Sequence, residues 1–123
     1  MREKKIGMWF FGFAGSGKSY ASEYVASKIE KAFILDGDQV RKTVSFDLGY
    51  DISSREIQVK RVFGLCQLVI KNGLFPVAST VFMNSEIKDL CKRNNIELIH
   101  IERSFSELVK VRPLYKFEKK CNW

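Results

Sequence analysis

The run Gly12-Phe13-Ala14-Gly15-Ser16-Gly17-Lys18-Ser19 constrains the fold of this chain more than any other stretch. It satisfies Gly-x-x-x-x-Gly-Lys-[Ser/Thr], a spacing that works as the turn between a buried strand and the start of a helix. The glycines let the backbone curl until successive N–H groups converge on phosphate oxygens, and the following helix adds the positive end of its dipole. Lys18 then reaches the β/γ-phosphates, and the Ser19 hydroxyl reaches a Mg²⁺ ion. The flanks agree. Ile6, Met8, Trp9, Phe10, Phe11 and Phe13 form an apolar run suited to a buried strand, and Ser19 to Lys31 reads as a helix. Trp9, Phe10, Phe11 and Phe13 are then core of a central strand, not a base-stacking platform. The dinucleotide pattern Gly-x-Gly-x-x-Gly fails on spacing and has no use for Lys18-Ser19.

Apolar and helical segments alternate along the rest of the chain, which predicts parallel strands joined by crossover helices. Phe33-Ile34-Leu35 is a second strand ending at Asp36. Residues 53 to 72 form a long helix closed by Asn72-Gly73, and Leu74 to Thr80 form a third strand in which Pro76 interrupts the pairing. Asn84 to Asn94 form a further helix capped by Asn84 or Ser85, and Ile96 to Ile101 a fourth strand. Ser104 to Val111 read as a last short helix, with Glu107 three residues after its cap and Pro113 beyond its end. The expected fold class is a three-layer α/β/α sandwich with a mainly parallel sheet, in one domain over 1–123.

With 46% hydrophobic and 28% charged residues the chain is an ordinary globular sequence. No apolar run is long enough to span a membrane, and Met1-Arg2-Glu3-Lys4-Lys5 leads into a strand instead of a secretory apolar region, so a cytoplasmic protein is expected. The net charge of +7 gathers toward the ends, in Arg2, Lys4, Lys5, Lys110, Arg112, Lys116, Lys119 and Lys120. Solvated surface charge explains it, since no nucleic-acid recognition module accompanies it. Cys66, Cys91 and Cys121 have no metal-ligand spacing and read as reduced thiols. His100 reads as an ordinary strand histidine with no partner suggested by spacing.

Ligands of such sheets bind beyond the carboxyl ends of the strands. The phosphate loop, Asp36 and Ser79-Thr80 all fall there, so their convergence is predicted. Two carboxylates in Asp36-Gly37-Asp38, beside a triphosphate, suit Mg²⁺ organisation or removal of a proton from an acceptor hydroxyl; for Asp38, helix capping is an equal reading. In the 53 to 72 helix, Val59, Val62, Phe63, Cys66, Val69 and Ile70 make one apolar stripe. Arg55 lies on that stripe and Gln58 at its edge. Arg55 also stands in the first turn, where the helix dipole disfavours a cation. Either the helix start overhangs the cleft and Arg55 meets an anionic ligand, or its stem lies on apolar surface with its head in water.

These residues resemble a known family. Gly12 to Ser19, then Asp36-Gly37-Asp38-Gln39-Val40-Arg41, then Asp47-Leu48-Gly49-Tyr50, then Arg55 with Gln58 and Arg61, are similar to the ordered motifs of adenylylsulfate kinase, which phosphorylates the 3′-hydroxyl of adenylylsulfate with ATP. The resemblance runs from about Gly7 to Ile101 and implies the P-loop nucleoside triphosphate hydrolase fold. It implies ATP and Mg²⁺ as cofactors, with Gly12, Ala14, Gly15, Ser16, Gly17, Lys18, Ser19 and Tyr20 around the nucleotide. It further implies Lys18 and Asp36 as catalytic residues and Ser19 and Asp36 toward the metal. Asp38, Arg41, Tyr50, Arg55, Gln58 and Val81 would serve a nucleotide-like acceptor. Among them Arg41 and Arg55 would hold its phosphate-sulfate portion and Tyr50 would stack on its base, while pinning of Tyr50 on the core is the competing reading.

The chain departs from the family pattern where Gln58 replaces Asn and where Val81-Phe82-Met83-Asn84 replaces a Ser-Pro-Tyr-like segment. Arg112-Pro113-Leu114-Tyr115-Lys116 resembles the family's lid motif in shortened form, without its Asp and Gly, and the expected lid and final strand are shortened or missing. Three readings follow: an adenylylsulfate kinase, a kinase for another nucleotide-linked or sugar acceptor in surface-polysaccharide biosynthesis, or a non-catalytic or partner-completed nucleotide-binding module. A fourth strand left as a sheet edge predicts a homodimer. Neither nucleic acid nor membrane is an expected partner.

Overall fold

The computed structural model describes residues 4–12 and 16–101, and the side chains of 4–12 and 21–101. Phe13, Ala14, Gly15, the side chains of Ser16, Lys18, Ser19 and Tyr20, the 104–111 helix, Pro113, the lid-like segment, Cys121 and the terminal cations Arg2, Lys110, Arg112, Lys116, Lys119 and Lys120 lie outside the described residues.

Strands β1 (Gly7–Gly12), β2 (Ala32–Asp36), β3 (Phe75–Thr80) and β4 (Ile96–Ile101) form one parallel sheet in the order β2-β3-β1-β4. Between them run α1 (Ser16–Lys28), α2 (Gly37–Thr43), α3 (Ile52–Lys71) and α4 (Ser85–Arg93). Alternation along β1 sorts its side chains between two cores. Trp9 and Phe11 pack with Val59, Val62 and Cys66 of α3 and Ile87 and Cys91 of α4, whereas Met8 and Phe10 pack with Ala21 and Val25 of α1. The sheet is therefore covered on both faces, giving the expected three layers. Met8, Trp9 and Phe10 are fully buried, as a central strand of this kind requires.

The chain leaves β1 toward β2 and leaves β3 toward β4, in opposite directions. That reversal opens a crevice between the carboxyl ends of β1 and β3. Pro76 sits in a strand with a neighbour on each side, yet costs the sheet little. The Phe75 N–H is given to Lys31 O on the β2 side, so the Pro76 nitrogen faces β1. On that side the ladder starts only at Met8↔Val77.

The α3 and α4 bounds lie within one residue of the sequence reading, and only the first helix departs by more. The first helix runs from Ser16 to Lys28, three residues earlier than 19–31 at each end, and Lys31 has turned into the left-handed region at φ 63. The α3 helix ends as Asn72-Gly73 predicts: Gly73 takes φ 76, its N–H bonds Ile70 O and Leu74 N–H bonds Val69 O. This 6→1, 5→2 pairing is the Schellman closure that a glycine permits. Asn84 caps α4 by accepting the Ile87 N–H at 2.9 Å. Among the described residues, β4 is an edge strand and no helix is long and apolar enough to cross a membrane.

Candidate functional site at the carboxyl rim

Strand register brings the predicted residues to one rim. Asp36 is opposite Ser79 and Phe11 is opposite Thr80, so the ends of β2, β3 and β1 lie side by side with Gly12 next in line. Gly12 has φ 113, and a Cβ there would fall 2.6 Å from both Ile101 O and His100 Cδ2. The strand can turn out of the sheet at that point only without a side chain.

Asp36 is the N-cap of α2: its Oδ1 accepts the Asp38 N–H at 2.9 Å. Capping, one of two equal readings of Asp38 in the sequence, falls instead to Asp36, with Asp38 in the first turn. The reason is that the helix starts at once from the strand, so the last strand residue already has the extended backbone of a cap, φ −75 and ψ 123. Gly37 is pressed on β3, since a Cβ there would meet Ser79 O at 2.6 Å. From the third side Gln58 donates its Nε2 to Gly37 O at 3.2 Å. Gln58 is not at the edge of the α3 stripe as the wheel predicts but within it, 4% exposed, and its Oε1 is buried without a partner. Ile70, placed on the stripe, is only partly buried.

Arg41 on α2 donates to Gly49 O at 2.7 Å and stands 4.3 Å from the centroid of the Tyr50 ring. Tyr50 is 71% exposed, which removes the alternative that it is pinned on the core. The segment carrying it is strapped to α3 by Arg61, whose guanidinium grips Asp47 at 2.7 and 3.1 Å and reaches Val44 O at 3.3 Å. The Arg61 hydrogen bonds hold the Asp47 carboxyl below its ordinary range, and the same contact raises Arg61. Arg55 is half-buried one turn before Gln58 on the same side of α3, and its side chain makes no hydrogen bond or salt bridge to a described residue. Val81 is exposed just past β3, while Phe82 and Met83 pack partly onto the α3/α4 core.

A buried relay fixes that last segment. Trp9 Nε1–H donates to Thr80 Oγ1 at 2.8 Å, and the Thr80 hydroxyl donates to Phe82 O at 2.8 Å. Sequence reading placed Thr80 at the rim and Trp9 in the core without joining them. A buried indole N–H needs an acceptor, which was the available signal.

The sequence model described as adenylylsulphate kinase matches residues 4–120, nearly the whole chain. The chain belongs to the adenylylsulphate kinase family. An adenylyl-sulfate kinase of Bacteroides fragilis is 27% identical over 98% of this chain and 59% of its own length. One from Gloeothece citriformis is 29% identical over 72% of this chain and 53% of its own, and a probable adenylyl-sulfate kinase of Aeropyrum pernix is 29% identical over 93% and 69%. The chain thus spans little more than half the length of the first two. Among solved structures, the Mycobacterium tuberculosis APS kinase in complex with AMPPNP and APS superposes with a TM-score of 0.70 at 21% identity, covering 96% of this chain and 74% of that one. The hexameric APS kinase of Thiobacillus denitrificans gives 0.70 at 20% identity over 97% of this chain and 30% of that one. Both likenesses concern the fold, the parallel α/β sandwich already described.

In this member of the family Cys66 and Cys91 are buried free thiols. Burial raises both, Cys91 to about 12 and Cys66 further, as expected of cysteines with no chemical role. His100 is a strand histidine, as expected, and its ring stacks on Phe11, centroids 4.8 Å apart and 2° from parallel. The pair is lateral, Phe11↔His100 across β1 and β4, so the stacking distance is the interstrand spacing. Spacing along the sequence cannot reveal a partner made by register. Among the described residues no three His, Cys, Asp or Glu side chains gather as a metal cluster.

Proposed function

We propose that this chain is an ATP-dependent phosphotransferase of the adenylylsulfate-kinase type, passing the γ-phosphoryl group to a hydroxyl of adenylylsulfate or a similar nucleotide-linked acceptor. The observation that carries the reading is the rim itself: Gly12 ends β1 beside the topological switch point, Asp36 ends β2 at the same carboxyl rim with Asp38 after it, and the Arg41–Tyr50 pair follows on α2 and the loop beyond it. The matched family and the AMPPNP and APS named for its Mycobacterium tuberculosis relative support the choice of ligands.

In this reading Gly12, Ala14, Gly15, Ser16, Gly17, Lys18, Ser19 and Tyr20 surround the triphosphate, with Lys18 balancing charge on the β/γ-phosphates. Mg²⁺, when bound, neutralises the phosphate charge that develops in transfer. Ser19 and Asp36 would hold it; one carboxylate and one hydroxyl suit an ion that keeps most of its shell as water and phosphate oxygen. Asp36 takes the proton of the attacking hydroxyl. As that oxygen bonds to the γ-phosphorus, the bond from phosphorus to the β–γ bridging oxygen breaks and ADP leaves. Tyr50, with Arg41 behind its ring, presents an aromatic face to the acceptor base, and Arg55 supplies the cation for its anionic part, with Asp38 and Val81 lining the approach. Catalysis here is mainly positioning and charge neutralisation.

Gln58, enclosed and turned to Gly37, favours a second reading in which the acceptor is another nucleotide-linked or sugar molecule of surface-polysaccharide biosynthesis. The protein is proposed to act as a single domain in the cytoplasm, as a homodimer paired through the β4 edge. The test is incubation with Mg²⁺-ATP and a panel of adenylylsulfate, cytidine-diphosphate conjugates and sugar phosphates, following ADP and phosphorylated product, with Lys18→Ala as control. Product with adenylylsulfate supports the first reading and product with another acceptor the second. Tight Mg²⁺-ATP binding without any product marks a nucleotide-binding module and overturns both.

A further inference from the structure

Gln58 breaks the pattern of its own helix. It is an amide on a stripe otherwise made of Val59, Val62, Phe63, Cys66 and Val69, and it is as deeply enclosed as they are. One end is matched, Nε2 to Gly37 O at 3.2 Å; the other, Oε1, is buried and accepts from nothing. Turning the amide over would set Oε1 against the Gly37 carbonyl, acceptor facing acceptor. The observed orientation is thus dictated by Gly37, and the unmatched oxygen is its consequence. A hydrocarbon would fill the same space without that cost, so the donor end is what this position is for.

Gly37 is the middle of the Asp36-Gly37-Asp38 turn. It is pressed against Ser79 O on the β3 side, where a Cβ would come within 2.6 Å, and held by Gln58 from the α3 side. The turn is closed internally by the Asp36 Oδ1 bond to the Asp38 N–H at 2.9 Å. With the backbone gripped from two elements and the carboxylate tied to the next amide but one, the direction of the Asp36 carboxylate depends on where Gly37 is held. We propose that Gln58 is a positioning residue that aims Asp36 by holding the Gly37 carbonyl, and that it does not contact the acceptor. This rests on the reading of Asp36 as the group that takes the acceptor's proton. It departs from the acceptor-binding task that the resemblance implies for this position, and the extra methylene of Gln over Asn is what lets the amide reach Gly37.

Two variants test it: Gln58→Met, which keeps length and volume without the donor, and Gln58→Asn, which keeps the donor without the reach. Gln67→Met, on the exposed face of the same helix, is the control. With whichever acceptor of the panel is turned over, both Gln58 variants are expected to lose at least about tenfold in kcat, with the acceptor KM within about twofold of wild type, the signature of lost transition-state positioning. Hydrogen exchange at the Asp38 amide is expected to quicken in both, because the cap slackens when Gly37 is released. A raised acceptor KM with kcat retained would mean direct contact and overturn the proposal. So would an Asp38 amide exchanging at the wild-type rate in Gln58→Met. If the wild type turns over no acceptor, the proposed function fails, and the Asp38 amide alone still decides whether Gln58 holds the turn.

Discussion

Replacing Gly37 with alanine puts the packing of the Asp36 turn to a direct test. The new methyl would lie 2.6 Å from Ser79 O, 0.8 Å short of the 3.4 Å at which ordinary contact begins, with Thr80 Cα and Cγ2 next at 3.5 Å. Gly37 is not among the glycines with positive φ, so the conflict is steric alone. The obstructing atom belongs to the backbone of a strand paired on both sides and cannot yield. The start of α2 must retreat instead. Overpacking of this kind costs about 1–3 kcal/mol. Retreat also stretches the Gln58 bond to Gly37 O, already 3.2 Å, whose loss adds about 0.5–1.5 kcal/mol. A melting temperature lower by roughly 5–15 °C follows for a chain of this size. Gly64 is the internal control: it lies inside α3 and a Cβ there meets nothing within 4 Å. Gly64→Ala should therefore gain about 0.5–1 kcal/mol, as Ala gains over Gly in helix interiors. Thermal and urea unfolding of both variants, followed by circular dichroism, gives the signs directly. If Gly37→Ala melted as the wild type does while Gly64→Ala rose, the packing argument for the Asp36 turn would be refuted.

Thr80→Val keeps the shape of the side chain but leaves the Trp9 indole N–H buried without an acceptor and Phe82 O without its donor. Urea unfolding should show a loss of about 1–3 kcal/mol, and a loss under about 0.5 kcal/mol would contradict the relay. Asp47 is held below its ordinary value by Arg61, so its contribution to stability is present above the unfolded value of 3.8 and is lost as pH falls through the folded one. The melting-temperature gap between wild type and Asp47→Asn should accordingly be open at pH 7 and close as pH drops below 4; a gap independent of pH would count against the pair. Cys66 and Cys91, raised by burial, should resist iodoacetamide at pH 8 in the folded protein and react on unfolding, as peptide mass mapping can read out. Rapid alkylation of either in the native state would show that α3 and α4 do not enclose them.

Much of the site was legible because its signals are local. The strand ending at Asp36, the Asn72-Gly73 closure of α3 and the Asn84 cap each depend on a few consecutive residues, and each is found where the pattern puts it. Arg55 was marked by breaking two local rules at once, and it is half-buried one turn before Gln58. Other features were not legible. The wheel put Gln58 at an edge because periodicity reports the direction of a side chain and not how close the neighbouring element comes. Capping was weighed for Asp38 and falls to Asp36, since both have the right chemistry and only the backbone course distinguishes them. His100 had no visible partner because Phe11 is supplied by an adjacent strand.

From its own residue order the chain determines a strand and a helix at its start with the phosphate-loop spacing between them, further alternating elements, and the chemical types of the groups at the strand ends. Capping, turn closure and amphipathic periodicity act over a single turn or a few residues, so composition and spacing suffice to specify them. Tertiary structure decides which of those groups hold one another. Gln58 meets Gly37 across 21 positions and Trp9 meets Thr80 across 71, contacts that exist only once helix packing and strand register are set by the burial of two apolar faces.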